Sequence, residues 1–366
     1  MGRLSRAQTQ ERNRAKVLAA AREEFAERGY REAKVDGIAE RAELTRGAVY
    51  SNFPGKRALY FAVMAELAEL AIEPAHPEPG RTAGEALRAF ARAWVARLPL
   101  ATDGARSQAR LGMDVLPEVL ADERTREPFA QLMRLDAIML GLALERLGPQ
   151  DSGRMVRVAE AVLTTLHGAS QLAAAAPGFV EPFNVISTCE RLATLDLDDR
   201  WPPPHLAYAP AALPADEPWT PPHAIDAVRG EPVLPTDDGV VAILGLHRLE
   251  AAEEAVRAAP PGAEVTAVLV TGEPAELLPL ARLAVAEVVG CLRQAFPPSA
   301  WPPLRVVYDE SGAFAAAAGV HEIGETTEVA LRVEAGRVVA RAEGRGACHA
   351  AASADRTRPA SRRPHR

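Results

Sequence analysis

Apolar residues recur with the period of a helix through the first half of the chain and in short β-branched runs through much of the second. Val17, Leu18, Ala21 and Phe25 fall at i, i+1, i+4 and i+8, one stripe of a first helix, with Glu23, Glu24 and Arg28 expected to face water. Gly29 is placed to end that helix. Val35, Ile38, Ala39 and Ala42 repeat the pattern in a second, shorter helix. Glu43 and Leu44 then make a tight turn, and Thr45 is positioned to cap a third helix running from Arg46 to Asn52. Ala48, Val49 and Phe53 would pack it back on the other two. Two short helices joined across so tight a turn form a helix-turn-helix. Residues 82 to 197 read as longer amphipathic helices.

From Trp201 to Pro235 the pattern stops, and ten prolines in thirty-five residues predict a semi-rigid extended linker. Beyond it, VVAILGL from Val240, EVTAVLVT from Glu264, LRVVYD from Leu304, TEVALRV from Thr327 and RVVARAE from Arg337 have the composition of strands bounded by Gly or Pro. Helical patterns lie between them, including PAELLPLARLAVAEVVGCLRQAF. Alternation of this kind implies a mostly parallel sheet covered by helices and closed by an antiparallel hairpin at VEAGRV. The boundaries expected are a helix-turn-helix domain at 1–55, a helical domain at 56–197, the Pro-rich linker at 198–237, an α/β domain at 238–345 and a disordered Arg-rich tail at 346–366. A chain cut at residue 235 would, on that division, keep its helical half whole.

Composition adds three constraints. With 366 residues, 48% hydrophobic and 25% charged, the chain has the ordinary globular mixture and room for two or three domains, which excludes collagen and wholesale disorder. Cys189, Cys291 and Cys348 are odd in number and far apart, so neither a disulfide framework nor a zinc cluster is indicated. Asp237-Asp238 and Glu253-Glu254 read as solvated charges rather than a metal site, and no cofactor is expected. No leader and no run of eighteen apolar residues occurs, so a cytoplasmic protein without a membrane partner is the expectation.

Charge is where composition points to function. Residues 1 to 60 carry thirteen Lys/Arg against eight Asp/Glu, while the middle of the chain, residues 61 to 343, carries 23 against 40. A basic N-terminal module on an acidic body is what a polyanion-binding face requires. On the outward face of the third helix Thr45, Arg46, Tyr50, Ser51 and Asn52 carry hydrogen-bonding groups, Gly47 permits close approach, and Lys56 follows. Hydroxyl and ammonium groups suit phosphates; Arg and Asn can read purine edges in the major groove.

The string FAERGYREAKVDGIAERAELTRGAVYSNFPGKRALYFAV, Phe25 to Val63, resembles the DNA-binding domain of the TetR/AcrR family of transcriptional regulators. Its marks are Phe25, Gly29-Tyr30, Ile38-Ala39, Thr45 through Tyr50, Phe53, Lys56 and Leu59. The resemblance implies that Thr45, Tyr50 and Lys56 grip phosphates, that Arg46 and Gly47 approach bases, and that Phe53 anchors the helix. Ala33 and Lys34 stand where the family usually has a capping Thr or Ser, although Lys34 could still reach a phosphate. Glu43 stands where a glycine is usual, which implies a strained turn.

Family architecture implies further that residues 74 to 197 hold an effector pocket and that their last two helices, here Ser152 to Ala175 and Pro182 to Asp196, form a homodimer. The stripe Val158, Val162, Leu166 and Leu172, with Ala161, Gly168, Ala169 and Ala173, would allow close crossing. Two recognition helices one DNA turn apart would read a pseudo-palindromic operator in double-stranded DNA. Phe90, Trp94, Met113, Phe129, Met133 and Met139 are candidates for an unknown small-molecule effector, with His167 as a polar contact; plain core packing is the alternative for each.

Residues 238 to 345 resemble, more loosely, a thioredoxin-like fold lacking its thiol: Thr271-Gly272-Glu273-Pro274-Ala275-Glu276, at the start of a helix, contains no cysteine. The fold class expected is therefore multidomain, an all-α TetR-like region followed by an α/β thioredoxin-like domain. The function expected is a dimeric repressor released from its operator by a small molecule, not an enzyme. The alternatives are control through the α/β domain by a protein partner, or an enzyme whose α/β domain acts on a substrate.

Overall fold

The computed structural model describes residues 5–73, 78–98, 111–148, 153–201, 211–233 and 238–354. The chain divides into two compact units, and the division does not follow the chain. One unit comprises residues 1–199 with 273–301; the other comprises 200–272 with 302–366.

In the first unit, α1 (Arg6–Glu32), α2 (Val35–Arg41) and α3 (Arg46–Tyr50) form the N-terminal module. Ser5 caps α1 with a reciprocal bond to Gln8, and Gly29, at φ 75 and ψ 166, breaks its helical path one turn before the end. Val17, Ala21, Phe25, Ile38, Val49 and Phe53 are all buried, as the stripes require. Glu24 departs from expectation. It is 3% exposed, accepts from Arg41 Nε at 2.9 Å and pairs with Arg28 at 3.0 Å, and its carboxylate lies where a Cβ on Gly37 would stand, 2.9 Å away. The absence of a side chain at Gly37 is what lets the α1 carboxylate dock on α2.

Among the described residues the unit also holds the α-helices α4 (Lys56–Leu70), α5 (Ala83–Val95), α6 (Val115–Leu120), α7 (Glu123–Glu145), α8 (Val156–Ala175), α9 (Pro182–Leu192) and, from far along the chain, α11 (Pro274–Ala295). The last of these packs on α4, α5 and α7. Leu277, Leu278, Leu280, Leu283, Val285, Val288, Val289 and Leu292 of α11 are each no more than 4% exposed. A helix apolar nearly all round is buried on more than one side. Two sets of ion pairs fix its register on α4: Arg57 with Glu276, and Arg282 with Glu69 at 2.8 and 2.7 Å. The single block expected over 238–345 is thus divided, with Glu273–Trp301 grouped with the helical unit.

The second unit holds β1 (Leu213–Pro218), β2 (Gly239–Gly245), α10 (Ala251–Ala258), β3 (Glu264–Val270), β4 (Leu304–Tyr308), α12 (Ala313–Ala317), β5 (Glu328–Glu334), β6 (Arg337–Glu343) and α13 (Ala347–Ala352). The sheet order is β1-β6-β5-β2-β3-β4. β2, β3 and β4 are parallel; β5 pairs antiparallel with β2, with Ala242 opposite Ala330, and the remaining pairs are antiparallel. Val241 and Ile243 pack with Trp219, Val268, Phe314 and Leu331, while α10 and α13 cover the other face, so β2 reads as an unbroken apolar run.

Two expectations change here. The 198–237 segment is not simply a linker: Leu213–Pro218 is an edge strand on β6, Trp219 is 5% exposed, and the buried carboxylate of Asp226 accepts from Val228 N at 2.9 Å and Val306 N at 3.1 Å. Pro214 and Pro218 are tolerated because an edge strand leaves one side of its backbone unpaired. In the tail, Ala347–Ala352 is a helix, packed on β5, and Gly346 N donates to Glu328 at 2.8 Å. Residues 202–210 and 234–237 of the expected linker, and the arginines of 355–366, lie outside the described residues.

Candidate nucleic-acid interface and effector cavity

The recognition helix is built by its cap. Thr45 is extended at φ −80 and ψ 154, and its Oγ1 accepts from Ala48 N at 3.2 Å. The preceding turn places Glu43 at φ 55, the left-handed conformation that glycine would adopt without strain, and its carboxylate lies 3.8 Å from Lys16.

Of the eight residues expected at DNA, Lys34, Thr45, Arg46, Gly47, Tyr50 and Ser51 are exposed. Arg46 and Tyr50 act as a pair: the guanidinium lies 5.5 Å from the phenol ring centroid, and Nη2 donates to Tyr50 Oη at 3.5 Å. That bond raises the Arg46 pKa, and Asp36, 3.4 Å from Nη1, adds to it. A Cβ on Gly47 would meet nothing closer than Thr45 Oγ1 at 3.9 Å. Asn52 is only half-exposed, and its amide donates to Ala48 O at 2.8 Å; Ser51 Oγ donates to the same carbonyl at 2.9 Å. Both thus help to close the helix end. Lys56 donates to Arg31 O at 3.0 Å and lies 4.5 Å over the Tyr30 ring, with burial lowering its pKa. It ties α4 to the end of α1.

That same end of α1 is joined to α6 by Tyr30 Oη, which donates to Glu118 at 2.8 Å, and to the turn before α6 by Arg31, 3.6 Å from Asp114; Tyr60 Oη of α4 donates to Leu111 O beside it. Phe25, Tyr30 and Tyr60 make one aromatic cluster, with Tyr30 and Tyr60 centroids 4.6 Å apart.

α6 is also a wall of a cavity of about 380 Å³. Val115, Leu116, Phe129, Met133, Leu163 and Trp94 supply apolar surface from four helices, and Leu280, Leu283, Ala284 and Glu287 supply a further wall from α11. Trp94, Phe129, Met133 and His167 of the expected set line it. Met113 lines an adjoining space of about 120 Å³, while Phe90 and Met139 are fully buried core. Trp94 Nε1 donates to Ser170 Oγ at 3.0 Å, and Ser170 Oγ donates in turn to Leu166 O at 2.9 Å. The His167 ring stands edge-on to Trp94 at 4.9 Å, its Nε2 has no partner, and burial lowers its pKa to about 4. Burial raises the Glu287 carboxyl to about 7, although Arg97 opposes the shift. The α11 residues were missed in the sequence, where the only signal was a helix too apolar for a one-sided role.

On the stripe expected to dimerise, Val158, Val162 and Leu166 are buried within the chain's own core, while Gly168 and Leu172 are exposed. Phe179 and Phe183 beside it are 71% and 76% exposed. Cys189 and Cys291 are buried, with burial raising their pKa values to about 11 and 12, and Cys348 is raised likewise. Buried thiols so raised are inert at neutral pH. Among the described residues no helix is long and apolar enough to cross a membrane, and no cluster of His, Cys, Asp or Glu could hold a metal ion.

Residues 17–63, the module just described, match the family model for bacterial regulatory proteins of the tetR family. The match identifies a tetR-type DNA-binding module over these residues of the chain. No curated protein matches it. Among solved structures, a TetR-family regulator from Pectobacterium atrosepticum is 25% identical, with a TM-score of 0.36 over 51% of this chain and 93% of that one. NalD, the secondary repressor of the MexAB-OprM multidrug efflux pump of Pseudomonas aeruginosa, is 20% identical, with a TM-score of 0.33 over 50% and 95%. A TetR regulator from Rhodococcus sp. RHA1 is 16% identical, with a TM-score of 0.34 over 50% and 94%.

Proposed function

We propose that this protein is a dimeric repressor that leaves its operator when a small molecule occupies the cavity lined by Trp94, Phe129, Met133 and His167. One observation carries the reading: α6 lines the cavity through Val115 and Leu116 and, through Glu118, holds Tyr30 at the end of α1. An occupant that displaces α6 must strain that bond or move the DNA-binding module with it. Two conformations with different affinities for operator and effector are sufficient for such coupling.

In this reading Arg46 and Tyr50 face the bases, with Gly47 allowing the approach, and Thr45 and Lys34 reach phosphates. Lys56, Ser51 and Asn52 act chiefly by holding the module's shape. Phe179, Phe183 and Leu172 meet their counterparts in a second copy, since apolar side chains so exposed mark an interface. The α/β unit is a thioredoxin-like module without thiol chemistry.

Fluorescence anisotropy with duplex DNA from the gene's own promoter tests this. Tight binding with a steep salt dependence is expected, abolished by Arg46→Ala together with Tyr50→Ala. Phe183→Arg should give a monomer by light scattering and lose operator binding. Absence of any complex at low salt would refute the regulator reading for this site.

A further inference from the structure

The cavity's body is apolar, and two of its less exposed polar lining groups are left unsatisfied. Ser170 is already committed to Leu166 and Trp94. His167 Nε2 is buried without a partner. The Glu287 carboxyl, delivered by α11, has no hydrogen bond or ion pair among the described residues, while its backbone carbonyl takes the bond from Arg97 Nη1 at 3.2 Å. Asp136 of α7, outside the lining, is fully buried with both carboxyl oxygens unpartnered, and burial first and Glu287 next raise its pKa. The other charged lining residues, Arg134 and Glu160, are exposed at the rim.

We infer that the cavity takes an aromatic molecule bearing a protonated amine, its ring body against Trp94, Phe129 and Leu283 and its ammonium group on Glu287. An anionic ligand would have to bring its charge beside the Glu287 carboxyl, and Arg97, which lines the adjoining space, already gives its Nη1 bond to the Glu287 carbonyl. A neutral alcohol of the same shape would fill the apolar space and offer Glu287 one O–H donor but no compensating charge. An ammonium group supplies both the N–H donors and the compensating charge, and a charge-assisted bond is about twice as strong as a neutral one. About 380 Å³ is at the small end of ligand cavities, so a body of one to three rings fits. The inference rests on the cavity being a ligand site, as the proposed function has it, and adds that the α11 insertion chooses the ligand's charge.

Three isosteres on the full chain provide the test, by isothermal titration calorimetry: 2-(1-naphthyl)ethylamine hydrochloride, 2-(1-naphthyl)ethanol and 1-naphthylacetate. The amine should bind about tenfold or more tighter than the alcohol, with the acid weakest. Glu287→Gln, isosteric and relieved of a buried acid, should bring the amine to within about threefold of the alcohol without weakening the alcohol. Leu283→Trp, which fills the space, should abolish all three. Preference for the acid, an amine preference that survives Glu287→Gln, or no heat from any of the three at millimolar concentration would overturn the inference. Operator release is read separately by anisotropy. Glu287-dependent amine binding that leaves DNA bound would sink the effector reading and leave this one standing.

Discussion

The contact between Arg57 and Glu276 is the sharpest test of where α11 belongs. Arg57 Nε and Nη2 donate to one Glu276 oxygen at 2.9 and 2.5 Å, and Nη2 also lies 2.8 Å from Asp122, with side-chain exposures of 19% for Arg57, 15% for Glu276 and 20% for Asp122. An exposed ion pair is worth about 0.2–1 kcal/mol, and breaking a fully buried one costs about 3–5 kcal/mol. The intermediate burial here sets the coupling in an Arg57→Met, Glu276→Gln cycle at about 1–2 kcal/mol. The single variants should be unequal. Glu276→Gln leaves Arg57 on Asp122, whereas Arg57→Met leaves Glu276 without its cation and Asp122 with Arg124 alone, and should cost about 2–3 kcal/mol. Asp122 is held below the usual carboxylate range by Arg124 first and Arg57 next. A lowered carboxyl pKa stabilises the fold above the unfolded value and loses that contribution as pH falls, so the Arg57→Met penalty should shrink in acid. Urea denaturation followed by far-UV circular dichroism measures all four corners. Coupling within about 0.3 kcal/mol of zero would mean that α11 does not lie on α4 in solution.

Other consequences are measurable in the same way. Gly29→Ala meets no atom within 4 Å, so its cost is backbone strain at φ 75 and ψ 166 alone, about 1–3 kcal/mol by chemical denaturation. His167 has a folded-state pKa near 4, against the ordinary histidine value of 6.5 that the unfolded chain recovers. The unfolded chain therefore binds the proton first, and the wild type should lose up to about 3 kcal/mol relative to His167→Gln as pH falls from above 6.5 towards 4, with no difference above that window. Truncation after residue 235 removes α11 along with the sheet, exposing its former contact surface on α4, α5 and α7. The shortened protein should aggregate or melt well below the full chain, and a soluble, operator-binding fragment of unchanged stability would contradict the packing described.

Local pattern determined the first sixty residues almost completely. Helical spacing at Val17, Ala21 and Phe25, the cap at Thr45 and the glycine at 29 are interactions between residues a few positions apart, and a sequence displays those directly. The alternation of strand and helix after residue 238 was equally plain, because burial on both faces of β2 demands VVAIL whatever lies against it. Tertiary structure alone decided which surface each element covers. An apolar helix such as Pro274–Ala295 satisfies its hydrophobic surface against any matching surface, and only the packed chain assigns it to α4, α5 and α7. Glu24, expected in water, is buried because Gly37, thirteen residues away, leaves room for it. Lys56 and Asn52 look like phosphate and base contacts in the sequence, and the fold adds a second role, since each also gives a donor to a carbonyl, at Arg31 and Ala48. The cavity follows the same logic: Trp94, Leu116, Phe129, His167 and Glu287 span nearly two hundred positions, and no periodicity links them, since the free energy that gathers them is that of burial, which has no memory of chain order.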